Sequence, residues 1–364
     1  MLFVLKNSWA LLLGMLFLMV GNGLQGTLLG IRGAIEGYDA TSMAWVMSGY
    51  YLGFLVGTRR IAAMIRRVGH VRVFSALASL VSAAFILYVV DPSPPLWVAM
   101  RFVTGFCFAG IYVVAESWLN EAATNETRGQ ALSLYMIVQM VGIISAQGLL
   151  NIADPGGYTL FIIMSVLVSV SFAPILLTVS AAPAYQTTKP MPLRQLFAIS
   201  PLGCVGTFAL GGVYAATFSM ASVFGTQKGL TVSEIAAFVA AIYFGGLVCQ
   251  FPIGWISDRV DRRVLIIGMT AIGAVVSFLG FFLPDRGPLL LAGGFLVGGI
   301  ANPLYALLIA YTNDFLDHAD MPAASGGLLF INGLGAISGP FLIGWLMTRF
   351  GAEAYFVYLA ALFS

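Results

Sequence analysis

The segment GWISDRVDRR, residues 254–263, is the most informative part of this sequence for its fold. It lies between two apolar runs, at about 231–256 and 263–283, and it holds three arginines and two aspartates. Each run is long enough to cross the roughly 30 Å hydrocarbon core of a bilayer. A short charged stretch between two such runs predicts a tight turn that joins two membrane helices.

Apolar runs of spanning length recur along the whole chain. Of the 364 residues, 60% are hydrophobic and 9% are charged, whereas a soluble domain has roughly 25% charged residues. The runs are about twice the length of barrel strands, which indicates an all-α membrane protein. They lie at about 8–30, 40–58, 71–90, 95–118, 129–152, 157–180, 201–224, 231–256, 263–283, 287–312 and 322–347. Another begins near Ala354, so we expect the sequence to end inside a truncated twelfth helix.

Basic residues lie mostly on one side of the predicted helices. If the N-terminus is cytoplasmic, twelve of them face the cytoplasm, four face the other side and Arg101 lies inside a helix. Because short cytoplasmic loops are rich in Lys and Arg, this bias predicts a multi-pass inner-membrane protein with a cytoplasmic N-terminus. The twelve are Lys6, Arg59, Arg60, Arg66, Arg67, Arg72, Arg128, Lys189, Arg194, Arg259, Arg262 and Arg263, and the four are Arg32, Lys228, Arg286 and Arg349.

One connection differs from the others in length and composition. Residues 183–200 are polar and hold three prolines, which is typical of a linker. We therefore expect a six-helix bundle at 1–182, a cytoplasmic linker at 183–200 and a second six-helix bundle at 201–364. Within the linker, Leu193–Ile199 is predicted to form a short surface helix.

The two halves match each other at a shift of about 193 residues. Several predicted helices share this one shift, which favours a duplicated six-helix unit with pseudo-twofold symmetry. The matches are Tyr50 with Tyr243, Gly53 with Gly246, Phe102 with Phe295, Gly105 with Gly298, Tyr112 with Tyr305, Asn120 and Glu121 with Asn313 and Asp314, and Gly142 with Gly335.

The 254–263 segment resembles the loop motif GxxxDRxGRR of the major facilitator superfamily, with Asp261 where that motif has Gly. In that family the loop latches the two halves in the outward-facing state, and its acid, here Asp258, can cap a helix or pair with an arginine. The first-half counterpart, Arg66-Arg67-Val68-Gly69-His70, has Arg66 in place of the acid. A basic cluster that fixes membrane topology is the alternative interpretation of that counterpart.

Two motifs of the fourth predicted helix extend the resemblance, which covers the whole chain. Arg101-Phe-Val-Thr-Gly105 resembles the RxxxG motif of the superfamily, and Glu121 with Arg128 has its E-x6-R spacing. The stretch ESWLNE at 116–121, followed by Arg128-Gly129, is similar to the YcaD-type bacterial subfamily. The resemblance implies an alternating-access transporter with twelve helices in two bundles. It implies a cytoplasmic gate that includes Glu116, Glu121, Arg128, Asp258, Arg259 and Arg262.

Polar side chains inside the predicted helices are candidates for a solute cavity. An arginine within a span costs about 2.5–3.5 kcal/mol on insertion scales, so Arg101 is a functional candidate, with snorkelling to the outer surface as the alternative. A lone amide can instead be a contact between helices. The candidates are Arg101, Asn22, Gln25, Tyr135, Gln139, Tyr214, Asn302, Tyr305 and Asn332. A cavity whose charge is Arg101 suits a neutral or anionic organic solute better than a cation.

Proton coupling requires a titratable group within the membrane. Glu116 is the acid placed well inside a predicted helix, and it could couple to protons or pair with a loop arginine such as Arg128. His70 and His318 are expected in cytoplasmic loops. Uniport remains open, and no sodium site is apparent.

Other functional classes find little support. Cys107, Cys204 and Cys249 lie apart in apolar runs, so we expect small buried side chains rather than a metal site or disulfides. The predicted helices hold no nucleophile–base pair, so we expect no enzyme, no cofactor and no metal. The net charge of +2 gives no indication of nucleic-acid binding. We expect a monomer in the lipid bilayer, and the alternative function is a non-transporting membrane sensor or assembly factor on the same fold.

Overall fold

The computed structural model describes residues 2–122, 128–177, 191–282, 287–317 and 320–364. The side chains of residues 2–7, 120–122 and 128 lie outside this description. Within the described ranges the chain forms helices and no strands, so the predicted all-α fold is confirmed there.

The helices follow one another through short connections. The first are α1 (Leu2–Ile35), α2 (Ala40–Val68), α3 (His70–Val90), α4 (Pro94–Ala122), α5 (Arg128–Leu149), α6 (Thr159–Ser171) and the single turn α7 (Ala173–Leu176). They are followed by α8 (Leu193–Ile199), α9 (Pro201–Ala215), a π-helical turn (Ala216–Met220), α10 (Ala221–Gln227) and α11 (Val232–Ser257). The last are α12 (Arg262–Gly280), α13 (Pro288–Asn313), α14 (Met321–Phe350) and α15 (Ala354–Phe363).

Ten spans in the described ranges are long and apolar enough to cross a membrane. Helix α2 has 29 residues but carries four arginines near its end, and α15 has 10 residues. The predicted count of twelve membrane helices is therefore supported for ten of them.

The apolar runs underestimate how far the helices extend. The run at 40–58 was expected to be followed by a basic loop, but α2 continues to Val68, because helical hydrogen bonding does not stop where the hydrocarbon ends. The connection to α3 is the single residue Gly69, whose φ of 85° favours glycine. The expectation that His70 lies in a loop is wrong: it begins α3, is buried, and its Nε2 lies 3.0 Å from Ser117 Oγ. His318 lies outside the described residues.

In two predicted spans the regular α-helical hydrogen bonding is interrupted. The run at 157–180 forms α6, which ends at Ser171 and is followed by the turn α7. The run at 201–224 forms α9, the π-turn and α10 in one continuous span from Pro201 to Gln227. Hydropathy cannot detect a π-turn, because the turn changes hydrogen bonding without changing composition.

Internal contacts divide the chain into two compact units. Unit 1 consists of Met1–Arg32 and Gly49–Thr187, and unit 2 consists of Gly33–Ser48 and Thr188–Ser364. The domain bounds predicted from the sequence, 1–182, 183–200 and 201–364, stay a prediction.

The hairpin Gly33–Ser48 packs on α14 within unit 2. The hydroxyl of Ser48 donates to the carbonyl oxygen of Ile337 at 3.0 Å. The ring of Trp45 meets Phe341 edge-on, with 4.5 Å between ring centroids. Residues 33–48, which the sequence assigned to the N-terminal bundle, therefore pack within unit 2.

In unit 1, α2 crosses α4 at two glycines. A Cβ on Gly53 would overlap the carbonyl oxygen of Phe102, and a Cβ on Gly105 would overlap that of Tyr50. Backbones approach this closely because helices in lipid associate by close packing rather than by a hydrophobic drive. Helix α3 packs against α4 and α6, and Ser82 of α3 hydrogen bonds with Ser165 of α6 at 2.7 Å.

In unit 2, α11 crosses α13 in the same way. A Cβ on Gly245 would overlap the carbonyl oxygen of Phe295, and a Cβ on Gly298 would overlap that of Ile242. Gly53 therefore corresponds to Gly245 rather than to the predicted Gly246, so the shift is 192 residues for the α2–α11 pair. It is 193 for the α4–α13 pair.

The predicted helix Leu193–Ile199 is confirmed as α8. Its Leu196 is fully buried in a cluster with Cys204 and Leu328, so one face of this helix packs into unit 2. All three cysteines are free; Cys107 and Cys204 are buried as expected, and Cys249 is half-buried.

Candidate functional site

A buried arginine lies among three helices of unit 1. Arg101 of α4 is 3% exposed, and its Nη1 donates to Gln25 Oε1 of α1 at 3.0 Å. The Nε2 of Gln25 donates to the hydroxyl of Tyr88, in the last turn of α3, at 2.8 Å. The structure thus brings together two of the predicted cavity residues, Arg101 and Gln25, and adds Tyr88.

An aromatic ring covers the guanidinium of Arg101. Its Cζ lies 4.6 Å from the ring centroid of Tyr50, a cation–π geometry that helps to stabilise a charge away from water. The hydroxyl of Tyr50 is in hydrogen-bonding reach of the amide of Asn22 and the hydroxyl of Tyr112. Asn22, another predicted cavity residue, therefore lies near the hydroxyl of the same tyrosine whose ring covers the guanidinium.

Tyr88 is held in place by its neighbours in the fold. The indole Nε1 of Trp97, in the first turn of α4, donates to the carbonyl oxygen of Tyr88 at 3.1 Å. The two rings also meet edge-on, with 5.9 Å between centroids. The short connection from Val90 to Pro94 brings these residues together, because α4 turns back directly along α3.

Glu116 and Tyr135 form a second polar pair in unit 1. The carboxylate of Glu116 on α4 lies beside the hydroxyl of Tyr135 on α5, but that hydroxyl makes no hydrogen bond of normal geometry in the described structure. Glu116 lies fifteen residues after Arg101 on the same helix, which places the two about 22 Å apart. The side chains of Glu121 and Arg128 lie outside the description, so their predicted gating role stays a prediction, as does an ion pair of Glu116 with Arg128.

Gln139 does not join either group. It is half-buried on α5, and its Nε2 lies 3.7 Å from the Sδ of Met136 one turn earlier.

Unit 2 gathers half-buried aromatic residues around the π-turn. The ring of Phe218, within the turn, stacks on Tyr243 with centroids 4.7 Å apart and contacts Tyr214 at 5.1 Å. Tyr305 lies 6.3 Å from Tyr214, whose hydroxyl reaches the carbonyl oxygen of Ala301 at 3.4 Å. π-turns occur frequently at functional sites, so this aromatic group is the unit 2 candidate surface.

The two asparagines of unit 2 differ in their environment. Asn332 of α14 is buried, and its Nδ2 donates to the carbonyl oxygen of Thr207 on α9 at 2.9 Å, a contact between helices. Asn302 is half-buried on α13, and its side chain packs where a Cβ on Gly246 would point. Of these two predicted cavity residues, Asn302 is the more accessible to a solute.

The 254–263 segment lines an open pocket of about 510 Å³. Asp261, which occupies the Gly position of the loop motif, caps α12 by accepting from Arg263 N at 2.7 Å. The capping role expected of Asp258 thus belongs to Asp261, since Asp258 lies at the end of α11 and lines the pocket.

The arginines of this segment have partners close by. Arg262 forms an ion pair with Asp314 at the end of α13. Arg259 packs over the ring of Trp255, 3.8 Å from its centroid, and donates to that residue's carbonyl oxygen at 2.8 Å. Their predicted gating function stays a prediction.

Sequence reasoning passed over several buried polar residues. Gln147 of α5 is 2% exposed; it donates to Gly23 O at 3.4 Å and accepts from Thr27 Oγ1 at 2.9 Å. Tyr88 and Thr104 were missed because Tyr and Thr are ordinary in apolar runs. An amide in the middle of a span, such as Gln147, was a signal that could have been used.

The part of the chain that the structure describes contains no group of three or more His, Cys, Asp or Glu residues arranged to hold a metal ion.

Sequence comparison identifies the family. The profile described as Major Facilitator Superfamily matches residues 11–242 and 202–364. The uncharacterized MFS-type transporter YcaD of Escherichia fergusonii is 26% identical over 354 residues, which cover 96% of this chain and 91% of that protein. YcaD from a strain of Escherichia coli is 26% identical over 357 residues, with the same coverage.

Solved structures share the fold. A mutant of the nucleoside transporter NupG superposes with a TM-score of 0.85 at 13% identity, over 98% of this chain and 96% of that chain. A bacterial homologue of the human lysosomal transporter Spinster superposes with a TM-score of 0.74 at 16% identity, over 97% and 92%. The chain belongs to the major facilitator superfamily of membrane transporters.

Proposed function

We propose that this protein carries a small organic solute, neutral or anionic, across the bacterial inner membrane by alternating access, as a secondary active or facilitative transporter. The relatives named YcaD are bacterial MFS-type transporters, which supports a membrane transporter of bacterial origin. The distribution of Lys and Arg supports a cytoplasmic N-terminus. The protein is proposed to act as a monomer.

The observation that carries the proposal is the position of Arg101. Its guanidinium is buried within the span Pro94–Leu119 and is contacted by the neutral groups of Gln25 and Tyr50. A fixed positive charge in a medium of low dielectric attracts an anion strongly and repels a cation.

The other cavity candidates fall into the two units. In unit 1, Asn22 is near the guanidinium, while Tyr135 and Gln139 lie on α5. In unit 2, Tyr214, Tyr305 and Asn302 are half-buried near the π-turn, whereas we assign Asn332 a structural role. Rings that keep a polar group accessible suit a solute that has both an apolar surface and hydrogen-bonding groups.

Proton coupling is assigned to Glu116. Two acids lie in the ten described spans, and the other, Glu234, is used in a capping box at the start of α11. Glu116 lies beside Tyr135 within the span Pro94–Leu119, where a carboxyl group can take up and release a proton. Asp258, Arg259 and Arg262, together with Glu121 and Arg128, are proposed to control access on the cytoplasmic side.

The test is transport by the purified protein in vesicles of phosphatidylethanolamine and phosphatidylglycerol. Organic acids and their neutral amides are first screened as pairs by thermal shift, and the pairs that bind are then followed by counterflow. Arg101→Ala should reduce anion uptake about 10- to 100-fold, because a hydrogen bond to a charged group contributes roughly 1.5–3 kcal/mol.

The matched control is Arg349→Ala, which removes an exposed arginine at the end of α14 and should leave uptake intact. Unchanged anion uptake by Arg101→Ala would remove Arg101 from the site. If no solute of either class shifted the melting temperature or crossed the membrane, a non-transporting sensor would become the better interpretation.

A further inference from the structure

The C-terminal part of α2 and the first turn of α3 carry a dense group of exposed arginines in unit 1. This arginine patch consists of Arg59, Arg60, Arg66 and Arg67 on α2 and Arg72 on α3. The connection between the two helices is a single residue, so the members of the patch follow one another closely. Helices α2 and α3 contain no aspartate or glutamate, so they hold no acid that could neutralise these charges.

The four arginines of α2 lie on the side of that helix opposite to its packed side. Ile61 and Ile65 mark the packed side, since they are 0% and 3% exposed. At about 100° per residue, the arginines lie about 120–140° around the helix from the mean direction of these two. Leu52 and Val56, one to two turns earlier, lie on the same outer side and are 47% and 37% exposed. One face of α2 therefore changes along its length from exposed apolar side chains to exposed arginines.

The change occurs where the apolar run of α2 ends. That run ends at about residue 58, so Arg59 and Arg60 fall where the headgroup layer begins. The layer is roughly 5–7 Å deep on each side of a bilayer. Arg66 and Arg67 come one heptad later, about 10 Å further along the helix axis. Because helical side chains lean toward the N-terminus of their helix, these two lean back toward the bilayer, and the length of arginine extends their reach.

Stabilisation of the helices accounts for only part of the patch. Arg66 and Arg67 lie in the last turn of α2, where a positive charge interacts favourably with the helix dipole. Arg59 and Arg60 are too far from that end to contribute in this way, because the effect falls off within one turn. Arg72 lies in the first turn of α3, where a positive charge is unfavourable. An anion bound at the patch would stabilise all five charges.

Contacts within the protein leave most of the patch unused. In the part of the chain that the structure describes, every member except Arg59 lacks a hydrogen bond or ion pair through its side chain. Basic residues of unit 2 differ in this respect: Lys228 pairs with Glu353 at 2.5 Å, and Arg262 pairs with Asp314. The patch is thus a group of charges that the described fold does not satisfy.

The acids of unit 1 are too few to neutralise the patch. Asp91 and Asp154 follow the far ends of α3 and α5, a full helix length away. Glu116 lies beside Tyr135. Glu121 and Glu126 belong to the region around the α4–α5 connection, where side chains lie outside the description. Even if the last three acids all paired with the patch, two of its five positive charges would remain.

We propose that the arginine patch binds the phosphate groups of anionic phospholipids at the membrane surface. Clusters of four to eight basic residues directly beside a membrane helix are typical of anionic-lipid sites. Arginine suits a phosphate because its planar guanidinium can donate two parallel hydrogen bonds. Leu52 and Val56, on the same face of α2, continue this surface along the acyl chains of the lipid. With the N-terminus oriented as proposed above, the patch faces the cytoplasmic leaflet.

The test measures lipid binding by the full-length protein in detergent micelles. Phosphatidylglycerol is titrated and the bound lipids are counted by native mass spectrometry, with phosphatidylcholine as the zwitterionic control. Arg60→Gln/Arg67→Gln removes two exposed charges that lie one heptad apart on α2. This variant should bind phosphatidylglycerol about 30-fold more weakly, at about fivefold for each arginine. Its binding of phosphatidylcholine should stay unchanged.

Two further variants separate the patch from charge in general. Arg194→Gln/Arg263→Gln removes two exposed arginines of unit 2, so the loss of charge is the same. It should bind phosphatidylglycerol as the wild type does. Arg60→Lys/Arg67→Lys keeps the positive charges and should retain most of the binding. The unfolding midpoint of each variant in the same micelles shows that it has folded.

Three results would each overturn the proposal. Unchanged phosphatidylglycerol binding by Arg60→Gln/Arg67→Gln would leave the patch as a signal for membrane topology alone. An equal loss in Arg194→Gln/Arg263→Gln would mean that any exposed arginine suffices. Displacement of the bound lipid by equimolar glycerol 3-phosphate would indicate a site for soluble phosphates instead. If the double variant does not fold, Arg67→Gln alone carries the same test, with an expected loss of about fivefold.

Discussion

Replacing Gly298 by Ala is expected to destabilise unit 2 by forcing α11 and α13 apart. The new Cβ would overlap the backbone carbonyl oxygen of Ile242, which cannot move aside as the end of a flexible side chain can. Nonbonded heavy atoms pack at roughly 3.5 Å, so the helices must separate locally by more than about 1 Å. That separation also loosens the neighbouring contact of Gly245 with Phe295.

The steric cost of the new Cβ can be separated from the helix propensity of Ala by comparison with Gly293→Ala on the same helix. A Cβ on Gly293 meets nothing within 4 Å, so this variant should gain the roughly 0.5–1 kcal/mol by which Ala exceeds Gly in a helix. Gly298→Ala receives the same gain and in addition the overpacking cost, typically about 1–3 kcal/mol. Because the propensity gain cancels in the comparison, Gly298→Ala should be less stable than Gly293→Ala by about 1–3 kcal/mol.

The measurement is unfolding in mixed detergent micelles titrated with dodecyl sulfate, followed by circular dichroism, on both variants and the wild type. We expect the unfolding midpoints in the order Gly293→Ala, wild type, Gly298→Ala, from the most to the least stable. Equal midpoints for the two variants, or a more stable Gly298→Ala, would mean that the α11–α13 crossing does not depend on the absence of a side chain there.

Two further predictions concern helix starts at the membrane surface. Thr231 accepts from Glu234 N at 3.3 Å in a capping box, so Thr231→Ala should lower the free energy of unfolding by about 1 kcal/mol in the same titration, and Thr231→Ser should restore it. Hydrogen bonds from the side chain and backbone of Ser42 lower the pKa of Asp39, which lies before α2. A carboxyl with a lowered pKa in the folded state stabilises above its unfolded pKa of about 3.9 and loses that contribution as the pH falls through the folded pKa. The destabilisation by Asp39→Ala should therefore be measurable at pH 6 and shrink at pH 3, and equal effects at the two values would contradict it.

The membrane-embedded part of the fold was predictable because the lipid imposes it. Every backbone polar group must be satisfied inside the segment, so an apolar run of sufficient length can only be a helix. The helix Leu193–Ile199 was predictable as well, although its burial against Cys204 was not. Helix ends were not predictable from hydropathy: α2 extends ten residues past its predicted end, because arginines outside the hydrocarbon are good helix formers.

The repeat was found from the sequence, but its register was correct only in part. Tyr50 and Gly53 were matched with Tyr243 and Gly246, since identical residue types gave the best alignment. The crossing contacts instead relate Tyr50 to Ile242 and Gly53 to Gly245. The glycine at a helix crossing is identified by the backbone atoms of the other helix that it contacts. A sequence alignment, which compares residue types, does not contain those contacts.

The charged residue of the candidate site could be predicted from the sequence, but not all of the residues around it could. Arg101 and Gln25 stood out because polar groups are costly inside a membrane. Tyr88 did not, because tyrosine is ordinary in apolar runs. Its hydroxyl accepts from Gln25, a residue 63 positions away in the sequence, and a linear pattern does not contain that contact.

The two units combine a shared scaffold with different polar groups, and the reason is physical. Each unit needs a close crossing of two helices, and the same contact between glycine and a backbone carbonyl provides it in both units. That contact involves backbone alone, so it leaves the side chains elsewhere on these helices free to differ. Arg101 and Thr104 in one unit therefore stand where the other has Gly294 and Val297, on helices that cross their neighbours in the same way. A scaffold held by backbone contacts can accept a buried charge in one copy because the hydrogen bond to Gln25 and the aromatic face of Tyr50, and not the crossing, stabilise that charge.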